Sequence, residues 1–484
     1  MKPDIIVVGV DRVYRRIKSK FRNYNLTYIK DIYLLSDILS PPSIIFGDGL
    51  SIPYIKSIID VIKDDKLNWI KYIYLDYRDV LLSGLTPESL IKSYSKLIES
   101  NRYLDTPVTM KRIPEKLSRR DILRGGVIEE YSTIIPFIKD LDACRSLDKC
   151  RICVYECPFE AILDVKPPEI EYGRCMECGY CINSCPSLLY VSPEYPLSSF
   201  ELLLRTLRSE GDLNKYLLII DELRKIDYYD AVGMRKYLTP IHMYNPLYLS
   251  VYHLMISIIY GYTPVIYVDF NREGFIEYNK LIGEFNSVSK VDVIILDSLD
   301  EFMKKDFTQY EDEVRYPGKV LSRSYEDILI YFSSYIDEDS LNKTLDRVPV
   351  YDVELDPSKC TLCEACTHYC PSNALKMESD GDLIKLLFSQ VKCIGCIGCE
   401  AVCPEDAVKV VRRIGLDMTR YRELTMDKIV RCIECGSPIA PEKSIQLIES
   451  RLRSKGVSED FIKYVRLCKK CRMKYSFKDL YGLG

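Results

Sequence analysis

The sequence predicts an α+β protein of several domains, in which two cysteine-rich modules and a C-terminal Cys₄ tail are combined with two α/β domains containing parallel sheets. The first observation is the distribution of the 20 cysteines, which fall into two blocks of eight and a final group of four. The second is the alternation of apolar, β-branched runs with helix-like segments between these groups. The third is the length of 484 residues, which exceeds what one hydrophobic core usually holds.

These observations divide the chain into six segments. They are an α/β domain at 1–115, a linker at 116–140, a cysteine module at 141–195, an α/β insertion domain at 196–350, a second cysteine module at 351–415 and the tail at 416–484. The two cysteine modules form an internal repeat, because each contains two strings of four cysteines that end in Cys-Pro. The insertion domain separates the two copies of this repeat.

The first α/β domain is expected to contain three buried strands and three helices. The strands are Asp4–Val10, Ser43–Phe46 and Ile70–Leu75. The helices are Asp11–Phe21, Pro53–Lys63 and Pro87–Ser100. Short apolar runs without alternation are typical of strands that are buried on both faces of a parallel sheet.

The insertion domain repeats this pattern, with strands expected at Leu217–Asp221, Val265–Phe270 and Val293–Asp297. Pro246–Val268 has no Asp, Glu, Lys or Arg in 23 residues, a length that could span a bilayer. It also contains His253, Gly261 and Pro264, so we expect a buried helix at 246–260 followed by a buried strand, and no membrane span.

Few side chains of the α/β domains suggest chemistry. No glycine-rich nucleotide motif of either common type occurs in the sequence. Asp221, Asp269 and Asp297 stand near strand ends, where ligands bind in many α/β folds, but capping of the strand ends is the simpler interpretation. His242 and His253 lie in apolar surroundings and are expected to be hydrogen-bonded core residues.

Three cysteine strings have the spacing C-x-x-C-x-x-C-x-x-x-C-P. They are Cys175, Cys178, Cys181 and Cys185; Cys360, Cys363, Cys366 and Cys370; and Cys393, Cys396, Cys399 and Cys403. Two intervening residues let one loop place three thiolates around an iron–sulfur cubane, and the fourth cysteine ligates the other cluster of the pair. Zinc is the alternative, but zinc sites use isolated C-x-x-C pairs. The spacing therefore predicts [4Fe–4S] clusters.

The remaining string departs from this spacing, since its first gap is three residues longer. Its cysteines are Cys144, Cys150, Cys153 and Cys157. A bulged loop still allows Cys144 to reach its iron, although an unusual potential or a [3Fe–4S] form is the alternative. Crossing of the fourth cysteines predicts four sets of ligands, which are 144/150/153/185, 175/178/181/157, 360/363/366/403 and 393/396/399/370.

The tail contains two C-x-x-C pairs separated by 32 residues, Cys432 with Cys435 and Cys468 with Cys471. Gly436 follows the second cysteine and suits the tight turn of a zinc knuckle. We therefore expect a zinc-ribbon-like tail that binds one Zn²⁺, with a rubredoxin-like iron or a fifth cluster as the alternatives.

Residues 144–186 and 360–404 each resemble a bacterial-type ferredoxin with two [4Fe–4S] clusters. The Cys-Pro-x-x-Ala endings at 157–161, 370–374 and 403–407 contribute to this resemblance. The order of the whole chain is similar to a family of four-cluster proteins associated with formate dehydrogenases and related molybdopterin oxidoreductases. Ser118–Arg124, Cys432–Gly436 and Cys468–Arg472 carry that second resemblance. It implies an electron-transfer subunit that meets donor and acceptor proteins, one of them a molybdopterin enzyme.

Composition agrees with a redox role in a reducing compartment. Closely spaced thiols without disulfide spacing favour the cytoplasm. A formal net charge of −4 does not indicate that the protein as a whole binds nucleic acid. The scarcity of Gln also favours a thermophilic source. Because no catalytic constellation competes with the cysteines, we expect a non-catalytic electron-transfer component. One alternative is an interaction protein that docks nucleic acid or an acidic partner through residues 412–484, which carry 17 Lys and Arg against 9 Asp and Glu. The other is an enzyme with a cryptic site in the 196–350 domain.

Overall fold

The structure is a computed structural model that describes residues 2–8, 11–29, 43–47, 72–75, 77–100, 108–112, 129–133, 136–138, 144, 150–185, 189–192, 194–221, 224–231, 237–272, 274–415 and 418–474. The chain forms two compact units. The first consists of Met1–Leu147 with Arg151–Glu338, and the second of Asp148–Cys150 with Asp339–Gly484. The first unit therefore contains both α/β segments and most of the first cysteine module.

The first unit begins with a four-stranded parallel sheet of short apolar strands. Its strands are β1 (Asp4–Val8), β2 (Leu26–Ile29), β3 (Ser43–Phe46) and β4 (Tyr72–Leu75), in the order β2-β1-β3-β4. Its helices are α1 (Asp11–Lys18), α2 (Tyr77–Ser83) and α3 (Pro87–Ser100). The predicted parallel sheet is confirmed, and helix Pro87–Ser100 has its predicted bounds. The helix expected at Pro53–Lys63 lies outside the described residues.

Short antiparallel strand pairs follow, before and within the sequence of the first cysteine module. Their strands are β5 (Val108–Arg112), β6 (Glu129–Thr133), β7 (Phe137–Ile138), β8 (Ile162–Leu163), β9 (Glu169–Ile170) and β10 (Tyr190–Val191), paired as β5–β6, β7–β10 and β8–β9. The module also contains α4 (Ile152–Glu156), a 3₁₀ turn at Tyr172–Arg174 and α5 (Tyr180–Ser184). The segment expected as a linker, 116–140, thus contains two strands.

A second parallel sheet forms the insertion segment. Its strands are β11 (Tyr216–Asp221), β12 (Leu238–Met243), β13 (Thr263–Tyr267) and β14 (Ile294–Leu296), in the order β12-β11-β13-β14. Its helices are α6 (Leu197–Ser209), α7 (Lys225–Ala231), α8 (Val251–Ile259), α9 (Phe275–Asn286), α10 (Asp300–Met303) and α11 (Tyr325–Phe332). Further 3₁₀ turns lie at Pro246–Tyr248, Ser333–Tyr335 and Glu338–Ser340.

The charge-free stretch Pro246–Val268 folds as the sequence predicts, with α8 followed by β13. Every residue of α8 is buried. Among the described residues, no helix is both long enough and apolar enough to cross a bilayer.

The two α/β segments share one hydrophobic core, although the sequence predicts two separate domains. Ile6 and Ile45 of the first sheet belong to the same buried cluster as Leu218 and Val265 of the second. Buried polar groups also join the segments, since the Asn214 amide donates to the Ser83 carbonyl at 2.8 Å.

The second unit combines the second cysteine module with the tail. Its strands are β15 (Tyr351–Leu355), β16 (Leu375–Asp380), β17 (Leu383–Ser389), β18 (Val408–Arg412), β19 (Tyr421–Arg431) and β20 (Pro438–Pro441), paired antiparallel as β15–β18 and β16-β17-β19-β20. Its helices are α12 (Ala365–Tyr369), α13 (Gly398–Val402), α14 (Glu442–Ser454) and α15 (Glu459–Ile462), with 3₁₀ turns at Gln390–Lys392 and Lys463–Arg466. Since β19 pairs with strands of both parts, the tail extends the sheet of the module.

Candidate metal centres

The three regular cysteine loops have the same backbone conformation. In each, the residues two and four positions after the first cysteine have positive φ angles: Glu177 (51°) and Gly179 (69°), Leu362 (56°) and Glu364 (66°), and Gly395 (68°) and Ile397 (52°). A residue other than glycine in this region costs roughly 1–2 kcal/mol. Such strain persists where the surrounding structure imposes it, commonly at functional sites.

This conformation turns backbone N–H groups toward sulfur. The N–H of the first left-handed residue donates to the first cysteine of its loop, from Glu177 to Cys175, from Leu362 to Cys360 and from Gly395 to Cys393. Each of these hydrogen bonds lowers the pKa of the thiol that accepts it. The loops are therefore shaped to stabilise thiolates, which is the form that binds iron.

The Cys-Pro endings supply a second kind of donor. The Ala161 N–H lies 3.3 Å from Cys157 Sγ, and the Ala407 N–H lies 3.2 Å from Cys403 Sγ. In the ending that lacks alanine, the Leu189 N–H lies 3.4 Å from Cys185 Sγ. Because the donor belongs to the backbone, replacing alanine by leucine preserves the contact.

Burial opposes ionisation of the free thiols. Desolvation is the largest influence on these groups, and it raises the pKa of Cys178, Cys366 and Cys399 to about 12 in each case. Neighbouring cysteines in the same pockets raise these pKa values further. A positively charged iron centre would reverse this balance, since it compensates the thiolate charges inside a dry pocket.

The structure brings together the sulfurs of three predicted ligand sets. Cys360, Cys363, Cys366 and Cys403 line one pocket. Cys370 interacts electrostatically with Cys393 and Cys399, and Cys157 does so with Cys175, Cys178 and Cys181. In each set, the cysteine before proline joins the loop of the other string. Four converging thiols with backbone donors are the donor set that a [4Fe–4S] cluster requires.

The irregular string is arranged differently. Cys144, Cys153 and Cys185 pack around one apolar cluster, which Cys157 and Cys181 of the other set also contact, whereas Cys150 falls in the short segment that is grouped with the second unit. Arg151 follows the second cysteine of this string as Gly179 follows Cys178, but its φ is −136° instead of positive. The described part of this loop, 150–157, therefore lacks the second left-handed position of the other three loops, and residues 145–149, which correspond to the first position, lie outside the described residues.

Sequence reasoning missed Tyr190, whose side chain lies between the two cysteine strings of the first module. It is 3% exposed, and its hydroxyl has no oxygen or nitrogen partner among the described residues. After desolvation, the influences that raise its pKa come from the sulfurs of Cys153, Cys181 and Cys185. A buried phenol beside sulfurs is a potential hydrogen-bond donor to bound thiolates.

The tail cysteines converge on one point. The four sulfurs of Cys432, Cys435, Cys468 and Cys471 all lie within 4.8 Å of one another. A tetrahedral zinc with bonds of about 2.3 Å would place its sulfurs roughly 3.8 Å apart. The Cys468 N–H donates to Cys432 Sγ at 3.3 Å, and Gly436 adopts a φ of 73° at the end of the first knuckle. The group can bind a metal ion.

The other candidates from the sequence have structural partners. His253 accepts from the Ser250 N–H through Nδ1 and faces the Tyr195 carbonyl through Nε2, and burial lowers its pKa to about 4. His242 contacts the Asp79 carboxylate at 3.2 Å. Asp221 accepts from Arg272, and Arg224 pairs with both Asp269 and Asp297. The aspartates at the strand ends therefore form ion pairs with arginine.

Comparison with known families identifies the second module. Residues 359–408 match the 4Fe-4S dicluster domain. This match supports an iron–sulfur, ferredoxin-like protein. This match covers about a tenth of the sequence, from just before Cys360 to just after Cys403. A comparison with curated proteins found no match. Together with the cysteine groups, the dicluster domain supports a role in electron transfer.

Proposed function

We propose that this protein relays single electrons through four [4Fe–4S] clusters, two in each cysteine module, between donor and acceptor proteins. The observation that carries the proposal is the interleaving of the cysteine sets, in which Cys157, Cys370 and Cys403 each join the loop of the other string. Each bound cluster would accept and release one electron. The chain would supply thiolates, backbone donors and exclusion of water.

The backbone of the cysteine loops can be compared between the second module and the first. The two loops of the second module share their left-handed positions with the loop of Cys175, Cys178 and Cys181 in the first module. Identical backbone geometry at identical spacing supports the same cofactor in all three loops. For the fourth cluster we propose the ligands Cys144, Cys150, Cys153 and Cys185, with the irregular loop giving it a different potential.

Metal analysis of anaerobically purified protein tests the number of clusters. Four clusters require about 16 iron atoms and 16 acid-labile sulfides per chain. A preparation with full occupancy of the second module and only about eight irons would limit the protein to two clusters.

Serine substitution tests the interleaving. Cys403→Ser should alter the cluster held by the 360–366 loop, and Cys370→Ser should alter the cluster held by the 393–399 loop. Cys363→Ser and Cys396→Ser serve as references, because each removes a ligand from within one of the two loops. Comparing the electron paramagnetic resonance spectra of all four reduced variants shows which cluster each substitution alters. If the spectrum of Cys403→Ser resembles that of Cys396→Ser instead, each cluster draws its four ligands from one string.

Transfer between the modules is a further part of the proposal. In stopped-flow experiments, all clusters should be reduced with one common rate, which is set by electron transfer from the external donor to a single cluster. Independent reduction of the two modules would leave a protein that carries two separate ferredoxins. The resemblance of the cysteine order to formate dehydrogenase-associated proteins makes a molybdopterin enzyme the first partner to test by co-purification.

We also propose that the tail holds one structural zinc and supports docking of a partner. Its converging sulfurs and its excess of basic residues support this role. Nucleic acid is the competing partner, and binding to it would weaken steeply as salt is increased. Retention of a redox partner, but of no nucleic acid, at physiological salt is the expected result.

A further inference from the structure

A cavity of about 290 Å³ lies in the first unit, beside the first cysteine module but lined by none of its cysteines. Its wall includes Ile182 of α5, Tyr190 and Val191 of β10, and the first residues of α6. If a water molecule takes about 30 Å³, the cavity holds roughly ten non-hydrogen atoms. That is the size of a small organic molecule.

The electrostatic character of the cavity is positive. Among the residues that the structure describes, no aspartate or glutamate lines it, whereas Arg323 does, and Arg323 forms no ion pair with any of them. Glu201, behind the wall, already accepts from the Leu321 and Ser322 N–H groups. His253 also lines the cavity, but its lowered pKa of about 4 keeps it neutral near pH 7.

The N-terminus of α6 opens onto the same space. Pro196, Leu197 and Ser198 line the cavity, and Pro196 occupies the N-cap position, where it provides no side-chain cap. The first turn of this 13-residue helix contains no acidic residue. The Ser199 and Phe200 N–H groups donate to the Pro196 carbonyl, whereas the Leu197 and Ser198 N–H groups have no acceptor among the described residues. The positive end of the helix dipole and these two N–H groups are therefore left for an external acceptor, the arrangement found at many anion sites.

Two serines give an independent indication of a ligand. Ser192 is 1% exposed and Ser322 is half-buried, and both line the cavity. Neither hydroxyl has a hydrogen-bond partner among the described residues. Leaving a buried hydroxyl unpaired is costly, so a ligand oxygen that accepts from these groups would be stabilised.

We propose that this cavity binds a small organic anion through one carboxylate or phosphate group. The oxyanion contacts the N-terminus of α6, Arg323 and the serine hydroxyls, while the carbon skeleton packs on Ile182, Val191 and Leu197. Carboxylate and phosphate present the same acceptor chemistry, and the test separates them. This inference does not depend on the number of clusters or on the redox partner.

Calorimetric titration of the full-length, iron-loaded protein under anaerobic conditions tests the site. The probes are succinate, glycerol 3-phosphate and inorganic phosphate, each at constant ionic strength with chloride as the reference salt. We expect saturable binding of at least one organic probe at one site per chain. Stronger binding of succinate identifies a carboxylate site, and stronger binding of glycerol 3-phosphate identifies a phosphate site.

Substitutions locate the binding. Arg323→Gln should weaken it about tenfold or more, because a hydrogen bond to a charged group is lost, and Ser192→Ala should weaken it less. Lys319→Gln is the matched control, since Lys319 is a nearby exposed cation that pairs with Asp327 instead. Unchanged iron content establishes that each variant is folded. Absence of saturable binding, binding of inorganic phosphate alone, or equal weakening by Arg323→Gln and Lys319→Gln would overturn the proposal.

Discussion

Replacing Gly274 by alanine should disrupt the iron–sulfur site that we propose at Cys178, from outside the cysteine motifs. Gly274 is the N-cap of α9 and has a φ of 82°. A Cβ added there would lie 2.3 Å from Cys178 Cβ and 2.7 Å from Cys178 Cα. Carbon atoms in contact normally stay about 3.5–4 Å apart, so the loop carrying Cys178 must move by roughly 1 Å.

Two costs add at this position. The left-handed backbone penalises alanine by roughly 1–2 kcal/mol. Relief of the overlap costs about 1–3 kcal/mol more, since both contacting atoms belong to or adjoin the backbone. Metal sites tolerate displacements of only about 0.2 Å, so the loop can move only at the expense of the cluster.

Two other glycines separate these costs. Gly211 has a φ of 88°, but a Cβ there would meet no atom within 4 Å, so Gly211→Ala introduces backbone strain alone. Gly283 lies inside α9 with no neighbour within 4 Å, so Gly283→Ala should stabilise the helix by about 0.5–1 kcal/mol.

Iron analysis and thermal unfolding of the anaerobically purified variants provide the assay. Gly274→Ala should lose about four irons per chain, corresponding to one cluster, whereas Gly211→Ala and Gly283→Ala should retain the full content. The reasoning is refuted if Gly274→Ala keeps all its iron and its unfolding temperature falls no further than that of Gly211→Ala.

Three further substitutions address other sites. Tyr190→Phe should lower the midpoint potential of a first-module cluster by roughly 40 mV, because a hydrogen bond of about 1 kcal/mol to a thiolate favours the reduced state. A redox titration followed by electron paramagnetic resonance measures this potential, and an unchanged value would exclude Tyr190 as a donor. His253 binds its proton about 2.5 pH units lower in the folded state than its usual 6.5, so stability should fall between pH 6.5 and 4 by at most about 3 kcal/mol. His253→Gln should reduce that loss, as measured by unfolding temperatures at pH 7.5 and 5, and parallel profiles would contradict it. Cys468→Ser should release one zinc and unfold the tail with iron nearly unchanged, whereas loss of four irons would indicate a fifth cluster.

The local features of this protein were predictable from its sequence, whereas its long-range packing was not. Spacing alone predicted which cysteines share a loop, because a cubane imposes that spacing on any chain that binds it. Periodicity likewise predicted the parallel sheets and helix Pro87–Ser100. By contrast, the common core of Ile6 and Leu218 joins residues more than 200 positions apart, and neither strand carries a signal for its partner.

The backbone conformation of the cysteine loops could also not be predicted from the sequence. Glu177, Leu362 and Ile397 occupy left-handed positions that residues of their types rarely adopt. The same applies to Gly274, since a glycine at a helix start is common and its contact with Cys178 depends on the fold. These features arise from tertiary constraints, which override local preference.

The interleaved cysteines impose an order on biosynthesis. During translation, the loop of Cys360, Cys363 and Cys366 leaves the ribosome well before Cys403, the residue that closes its pocket. Cys370 likewise leaves the ribosome before the loop that begins at Cys393 has been synthesised. With the proposed ligand sets, the site that uses Cys370 is complete only after Cys399 has emerged, and the other site only after Cys403. Delivery of iron and sulfide to the second module would therefore follow synthesis of most of the module, and a chain truncated before Cys393 could finish neither site.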